Sequence, residues 1–120
     1  MTLPTPSRWI PEQNLKRLAV LGKFIEELCE AGGRAARCII QGIDESDPKT
    51  KQINREGLQE EIADVIALAH VNIKFFDLDK DAIMRRAVEK EEHKEAWIAM
   101  LDEDGPNVVT YPALIFENSH

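Results

Sequence analysis

The run NREGLQEEIADVIALAHVNIKFF, residues 54–76, decides the fold. Its apolar positions Leu58, Ile62, Val65, Ala69, Ile73 and Phe76 are three or four apart throughout, the spacing of one face of an α-helix. This predicts a helix from about Asn54 to Phe76. Asp77-Leu78-Asp79 breaks it, and either aspartate can cap a third helix reaching about Leu101. That third helix is charged in its middle, almost continuously from Glu89 to Glu95, and apolar towards its ends.

Upstream, IDESDPKTK (residues 43–51) is polar, contains Pro48 and reads as a loop. Before it, Leu18, Leu21, Ile25, Leu28, Ala35 and Ile39 follow a helical period. They predict a first helix ending near Ile40 and closed by Gly42, with Gly32-Gly33 as a point where it can bend. Pro11 suits the first turn of that helix, and Glu12 suits the positive end of its dipole. Residues 1–10, with Pro4 and Pro6, read as an extended lead-in. Asp102 to Gly105 and Pro106 end the helical region, leaving residues 102–120 as a C-terminal arm. Its Tyr111, Leu114, Ile115 and Phe116 are apolar, and Pro112 argues against a regular central strand. The expectation is a single all-α domain over residues 1–120, an antiparallel helical bundle. Three amphipathic helices are few for a closed core, so helices of a second copy are expected to complete it.

Composition narrows the function. Across 120 residues, 22 acidic against 15 basic side chains leave a net charge of −7. Such a surface repels phosphate backbones, which argues against nucleic-acid binding. No apolar run approaches the roughly 20 residues that span a bilayer, and Met1 to Pro11 hold no signal-like apolar segment. A cytoplasmic protein is expected. On one helix, Cys29 and Cys38 stand roughly 13 Å apart along the axis, beyond the reach of about 7 Å between Cα atoms that a disulfide needs. They read as two buried thiols in a reducing compartment.

The acidic residues carry the chemistry. Residues three apart on a helix share a face, so Glu27 with Glu30 and Glu61 with Asp64 form two carboxylate pairs. Each pair flanks an apolar stripe, and antiparallel packing brings all four to one rim of the bundle. Four carboxylates together repel unless cations sit among them, and hard ions such as Mg²⁺ or Mn²⁺ prefer oxygen. The plainer reading is that Lys23–Glu27 and Glu30–Arg34 are ordinary ion pairs one turn apart, each worth a few tenths of a kcal/mol. A carboxylate-bridged iron site would need Glu-x-x-His on two helices. Ala67 precedes His70 by three and Lys90 precedes His93 by three, which argues against that site. His70 reads as a packing residue and His93 as exposed. Trp9 is read as covering an end of the bundle more readily than as stacking on a base.

Lys23-x-x-Glu26-Glu27-x-x-Glu30 followed by Glu60-Glu61-x-x-Asp64 resembles the ExxE…ExxD signature of the MazG-like, all-α nucleoside triphosphate pyrophosphohydrolases. EELCEAGG is similar to their EExxEL segment and EEIADVIALA to their EELxDVLxxL segment; FFDLDKDAI resembles the turn that follows. The likeness covers about residues 15 to 95. It implies hydrolysis of a nucleoside triphosphate to monophosphate and pyrophosphate, with Mg²⁺ (or Mn²⁺ in its place) held by Glu27, Glu30, Glu61 and Asp64. Glu26 or Glu60 would orient or deprotonate the attacking water, the choice between them being open. Substrate phosphates would be met by Lys23, Lys90 and Lys94. Members often carry NxKFxxR on the helix after ExxD. Here Val88 stands for the Asn, Glu91 for the Phe and Lys94 for the Arg, while Lys90 keeps its place. The altered motif favours a competing reading, a non-catalytic helical module acting through protein contacts; the intact acidic quartet favours the enzyme. A homo-oligomer, dimer or tetramer, is expected in either case.

Overall fold

The computed structural model describes residues 2–5 and 8–103. Among them are three helices, α1 (Leu15–Gln41), α2 (Asn54–Phe75) and α3 (Lys80–Glu103), and no strand. The chain divides into two compact units, Met1–Leu78 and Asp79–His120. The first contains α1 and α2, packed as an antiparallel hairpin. Arg34 and Cys38 near the end of α1 meet Asn54 at the start of α2, while Arg17, Leu21 and Phe24 near the start of α1 share a groove with Asn72 and Phe76. The second unit contains α3. From residue 104 on, the expected C-terminal arm lies outside the described residues.

Local chemistry fixes the helix ends. The sequence reading put Pro11 in the first turn of α1, but the helix begins four residues later, at Leu15. Asn14 is its N-cap, and its Oδ1 accepts from the Arg17 N–H at 3.0 Å. A carboxamide acceptor for an orphan N–H outweighs the favourable φ of a proline, and Glu12 instead pairs with Arg17 at 3.2 Å. At the far end Gly42 takes φ 98° and donates its N–H to Cys38 O, as a glycine C-cap should. The chain passes helically through Gly32-Gly33. α2 closes with paired bonds, Leu78 N–H to Ile73 O and Asp77 N–H to Lys74 O, with Asp77 left-handed at φ 50°. Asp79 then caps α3, its Oδ1 accepting from Ala82 N–H at 3.0 Å.

The connection between α1 and α2 is far more than a polar loop. Asp47 N–H donates to Gln52 O and Lys51 N–H to Asp47 O, both at 2.8 Å, and Asn54 N–H reaches Glu45 O at 2.9 Å. Asp47 Oδ1 accepts from Lys49 N–H at 2.9 Å. Its other oxygen lies 3.6 Å from Arg34 Nη1 and 3.5 Å from Arg37 Nε. Arg34 Nη1 also donates to Asn54 Oδ1, and Asn54 Nδ2 donates to Gln41 Oε1 and Gly42 O. Asn54 is fully buried, Asp47 only 3% and Arg34 6% exposed. The Glu30–Arg34 pair expected from the sequence is therefore not formed, because Arg34 turns inward to this network.

The backbone N–H of Lys49, and after it those of Thr50 and the charges of Arg37 and Arg34, hold the Asp47 carboxyl below its ordinary 3.8 against the cost of burial. Because the folded-state value is depressed, the stability it brings is present above pH 3.8 and lost as pH falls through the lowered value. Urea midpoints measured down the acid limb should therefore fall less steeply for Asp47→Asn than for wild type. Parallel limbs would remove Asp47 as their source.

The hydrophobic faces are only partly covered. Among the described residues no hydrophobic side chain is fully buried. The α2 stripe is half-buried at Leu58, Val65, Ala69, Ile73 and Phe76, but Ile62 is exposed. On α1 the expected inward residues Leu18, Leu21, Ile25, Leu28 and Ile39 are all exposed. Two sequence expectations are corrected. Cys29 is exposed and Cys38 half-buried, so the thiols are free but not both interior. His70 is exposed, lying on α2 away from the face that packs on α1. No helix among the described residues is long and apolar enough to cross a membrane.

Candidate metal centre

The hairpin gathers the carboxylates that the sequence singles out. Glu27 of α1 and Glu61 and Asp64 of α2 each offer an oxygen, and the three oxygens lie within 4.8 Å of one another. Antiparallel pairing makes this possible: Glu61 and Asp64 are one turn apart on the α2 edge that meets the middle of α1. The set grades from buried to exposed. Glu27 is only 8% exposed, Glu61 half-buried and Asp64 open to solvent.

Two of these oxygens are in an unusual state. Glu27 Oε2 and Glu61 Oε2 are sealed from solvent without a hydrogen-bond partner. Buried polar atoms are nearly always paired, and a buried, unpaired carboxylate oxygen is costly. Two such oxygens on neighbouring carboxylates have the chemistry of a hard-cation site, in which oxygen donors converge and need no protons of their own. The donor set therefore fits a divalent ion such as Mg²⁺ or Mn²⁺.

Glu30, the fourth predicted ligand, stands just outside this set. It is exposed, yet the Glu27 charge, reinforced by partial burial and by Glu61 and Glu26, raises its carboxyl above the usual 4.5. It thus feels the negative potential without being one of the three converging groups. Lys23 is the nearest cation, its Nζ lying 3.3 Å from Glu26 and 3.5 Å from Glu27 Oε1. Hydrogen bonding to Glu26, and then the Glu26 and Glu27 charges, raise its pKa above 10.5. The ordinary ion pair weighed in the sequence reading is thus present at Lys23–Glu27, and it covers only one of the two Glu27 oxygens.

The two candidates for handling water sit at the outer edge. Glu26 is exposed and engaged by Lys23. Glu60 is exposed, and its Oε1 accepts from Gln52 Nε2 at 3.0 Å, which ties it to the interhelical loop. Neither belongs to the converging set. Lys90 and Lys94 are exposed on α3, in the second unit, and neither forms an ion pair with a described residue. Trp9 is exposed.

The sequence reading missed the inward network of Arg34, Asp47, Asn54 and Gly57, which fixes the end of the hairpin at the connection between α1 and α2. One signal was available: a glycine inside the strongest helix has to be there for a reason of space. A Cβ on Gly57 would lie 2.4 Å from Arg34 Cζ, so the guanidinium passes where a side chain would stand. Among the described residues the protein is all-helical, and its helical hairpin carries a cluster of three carboxylates that could hold a cation. No family model matches the chain, and no curated protein or solved structure matches it.

Proposed function

We propose that this protein is a Mg²⁺-dependent nucleoside triphosphate pyrophosphohydrolase of the MazG-like kind, acting in the cytoplasm as a homo-oligomer. The observation that carries the reading is the convergence of Glu27, Glu61 and Asp64 with two sealed, unpartnered oxygens among them. Glu27, Glu61 and Asp64 would hold the ion, with Glu30 as an outer ligand. When bound, Mg²⁺ supplies charge neutralisation for the triphosphate and lowers the pKa of water in its shell. An acidic protein and a polyanionic substrate have no favourable encounter without such an ion between them.

The chain's own groups divide the remaining work. Lys23 rests against Glu26 and Glu27 at the edge of the cluster, where its ammonium would meet a phosphate oxygen of the substrate. Glu26 and Glu60, at the edge of the cluster, are the bases available to take a proton from water. Lys90 and Lys94 retain basic character one turn apart on α3. The test is release of pyrophosphate across the NTPs and dNTPs, with and without Mg²⁺. The expected products are NMP and pyrophosphate with no NDP. Accumulating NDP with orthophosphate overturns the assignment, and absence of hydrolysis with both Mg²⁺ and Mn²⁺ favours the non-catalytic module.

Incomplete burial supports the oligomer. Folding draws most of its driving force from apolar area removed from water, at roughly 25 cal/mol per Å². A hairpin whose Leu18, Ile25, Leu28, Ile62 and Ile66 remain exposed gains little of it alone. A second copy is the partner always available as the chain is made. Sedimentation at micromolar concentration should therefore give a dimer or larger species; a folded monomer there contradicts this part of the proposal.

A further inference from the structure

The connection between α1 and α2 carries one side chain that reaches back towards the carboxylates. Gln52 is half-buried, and its Nε2 donates to Glu60 Oε1 at 3.0 Å. Its backbone is fixed on both sides. Gln52 O accepts from Asp47 N–H at 2.8 Å, and Gln52 N–H donates to Thr50 Oγ1 at 3.3 Å. Asp47 is in turn anchored by Arg34 and Arg37 of α1. Just before Gln52, Lys51 stands at φ 67°, a left-handed conformation that a residue with a Cβ adopts only at a cost. The Lys51 N–H is spent on Asp47 O at 2.8 Å, which holds that conformation in place. A connection pinned in this way fixes where the Gln52 amide meets Glu60, eight residues further along the chain.

Glu60 lies one turn before Asp64 on α2, which sets their Cβ atoms roughly 6 Å apart. Asp64 is the solvent-open member of the converging carboxylates, so Glu60 borders the side of the cluster that water reaches. One of its oxygens is held by a neutral amide, and no described cation pairs with either. Glu26, the other group at the edge, is placed differently. Its Oε1 is taken by Lys23 Nζ at 3.3 Å, the same ammonium that would meet the substrate. A carboxylate with one oxygen tied to an uncharged donor keeps its other oxygen as an acceptor on an oriented group. That is what proton transfer from a positioned water requires.

We infer that Gln52 is a positioning residue, which holds Glu60 as the acceptor of the proton from the attacking water. The inference rests on the hydrolase reading and decides between Glu60 and Glu26. In that step the water oxygen bonds to the α-phosphorus. The bridging P–O bond to the leaving group breaks with its electron pair departing on pyrophosphate, and the proton passes to Glu60 and on to solvent. Two measurements on the full-length protein test it. In proton–nitrogen NMR spectra without metal, the Gln52 side-chain amide signals should shift in Glu60→Ala and keep their positions in Glu26→Ala. In turnover with Mg²⁺, Gln52→Met keeps the length of the side chain and removes the donor. It should lower kcat about tenfold and leave KM within about twofold of wild type. In Glu60→Ala, itself slower by about a hundredfold or more, Gln52→Met should cause no further loss. In Glu26→Gln it should keep its full effect. Unmoved Gln52 signals in Glu60→Ala, a loss in KM instead of kcat, or losses that multiply when Gln52→Met and Glu60→Ala are combined each overturn the inference while hydrolysis by the wild type stands. A wild type that hydrolyses no nucleotide overturns the hydrolase reading and this role with it.

Discussion

In Asp64→Ala, pyrophosphate release is expected to fall by about a hundredfold or more, with the helix content of the wild type retained. Asp64 is the exposed member of the converging set, so its removal takes away a proposed cation ligand and no packing. Glu27 and Glu61 stay in place but cannot by themselves hold an ion with the same geometry. Because the three carboxylates repel one another in the absence of metal, the variant's thermal midpoint without Mg²⁺ should equal or exceed that of wild type. The stabilisation that saturating Mg²⁺ gives the wild type should shrink with it. Near-wild-type turnover in Asp64→Ala would remove this residue from the site.

The largest effect on stability is expected at Arg34. Its guanidinium is buried between Asp47 and Asn54, and replacing it with alanine leaves the Asp47 carboxylate unpaired on that side and opens a void. Arg34→Ala should cost about 3 kcal/mol in urea unfolding, a loss typical of breaking a buried pair. Gly57→Ala should destabilise in the same direction, because its new methyl group occupies the space of Arg34 Cζ and expels the guanidinium from both partners. The two losses should not add. With Arg34 already shortened to alanine, the space is vacant, and Gly57→Ala should become neutral or stabilise by up to about 1 kcal/mol through helix propensity. Additive losses in the double variant would show that Gly57 is required for another reason.

These two sites differ in how far the sequence disclosed them. The carboxylates were legible because helical geometry converts spacing into position. Glu61 and Asp64 had to share an edge, and antiparallel packing returns α2 along α1 beside Glu27. Their membership was less legible. Glu30 is on the correct helix and one turn from Glu27, but convergence to within 4.8 Å depends on side-chain directions that spacing does not encode. The helix limits were readable to within a residue or two at Gly42, Asn54 and Asp77. The start of α1 was misplaced because Pro11 and Asn14 both carry start signals, and the side-chain acceptor of Asn14 prevailed.

The interhelical network was hidden by composition. IDESDPKTK is polar at every position but Ile43 and Pro48, and polarity ordinarily marks solvent exposure. Asp47 is nevertheless buried, because Arg34 reaches it from a helix thirteen residues upstream and the Lys49 N–H completes its shell. Nothing local to the loop signals a partner at that distance.

The proposed reaction is defined by where water attacks. Hydrolysis of a nucleoside triphosphate in water enriched in oxygen-18, with Mg²⁺ present, reads this directly by mass spectrometry of the products. Attack at the α-phosphorus, as expected for the pyrophosphohydrolase, places the label in NMP and leaves pyrophosphate unlabelled. Label in pyrophosphate or orthophosphate, or no turnover with either Mg²⁺ or Mn²⁺, would contradict it.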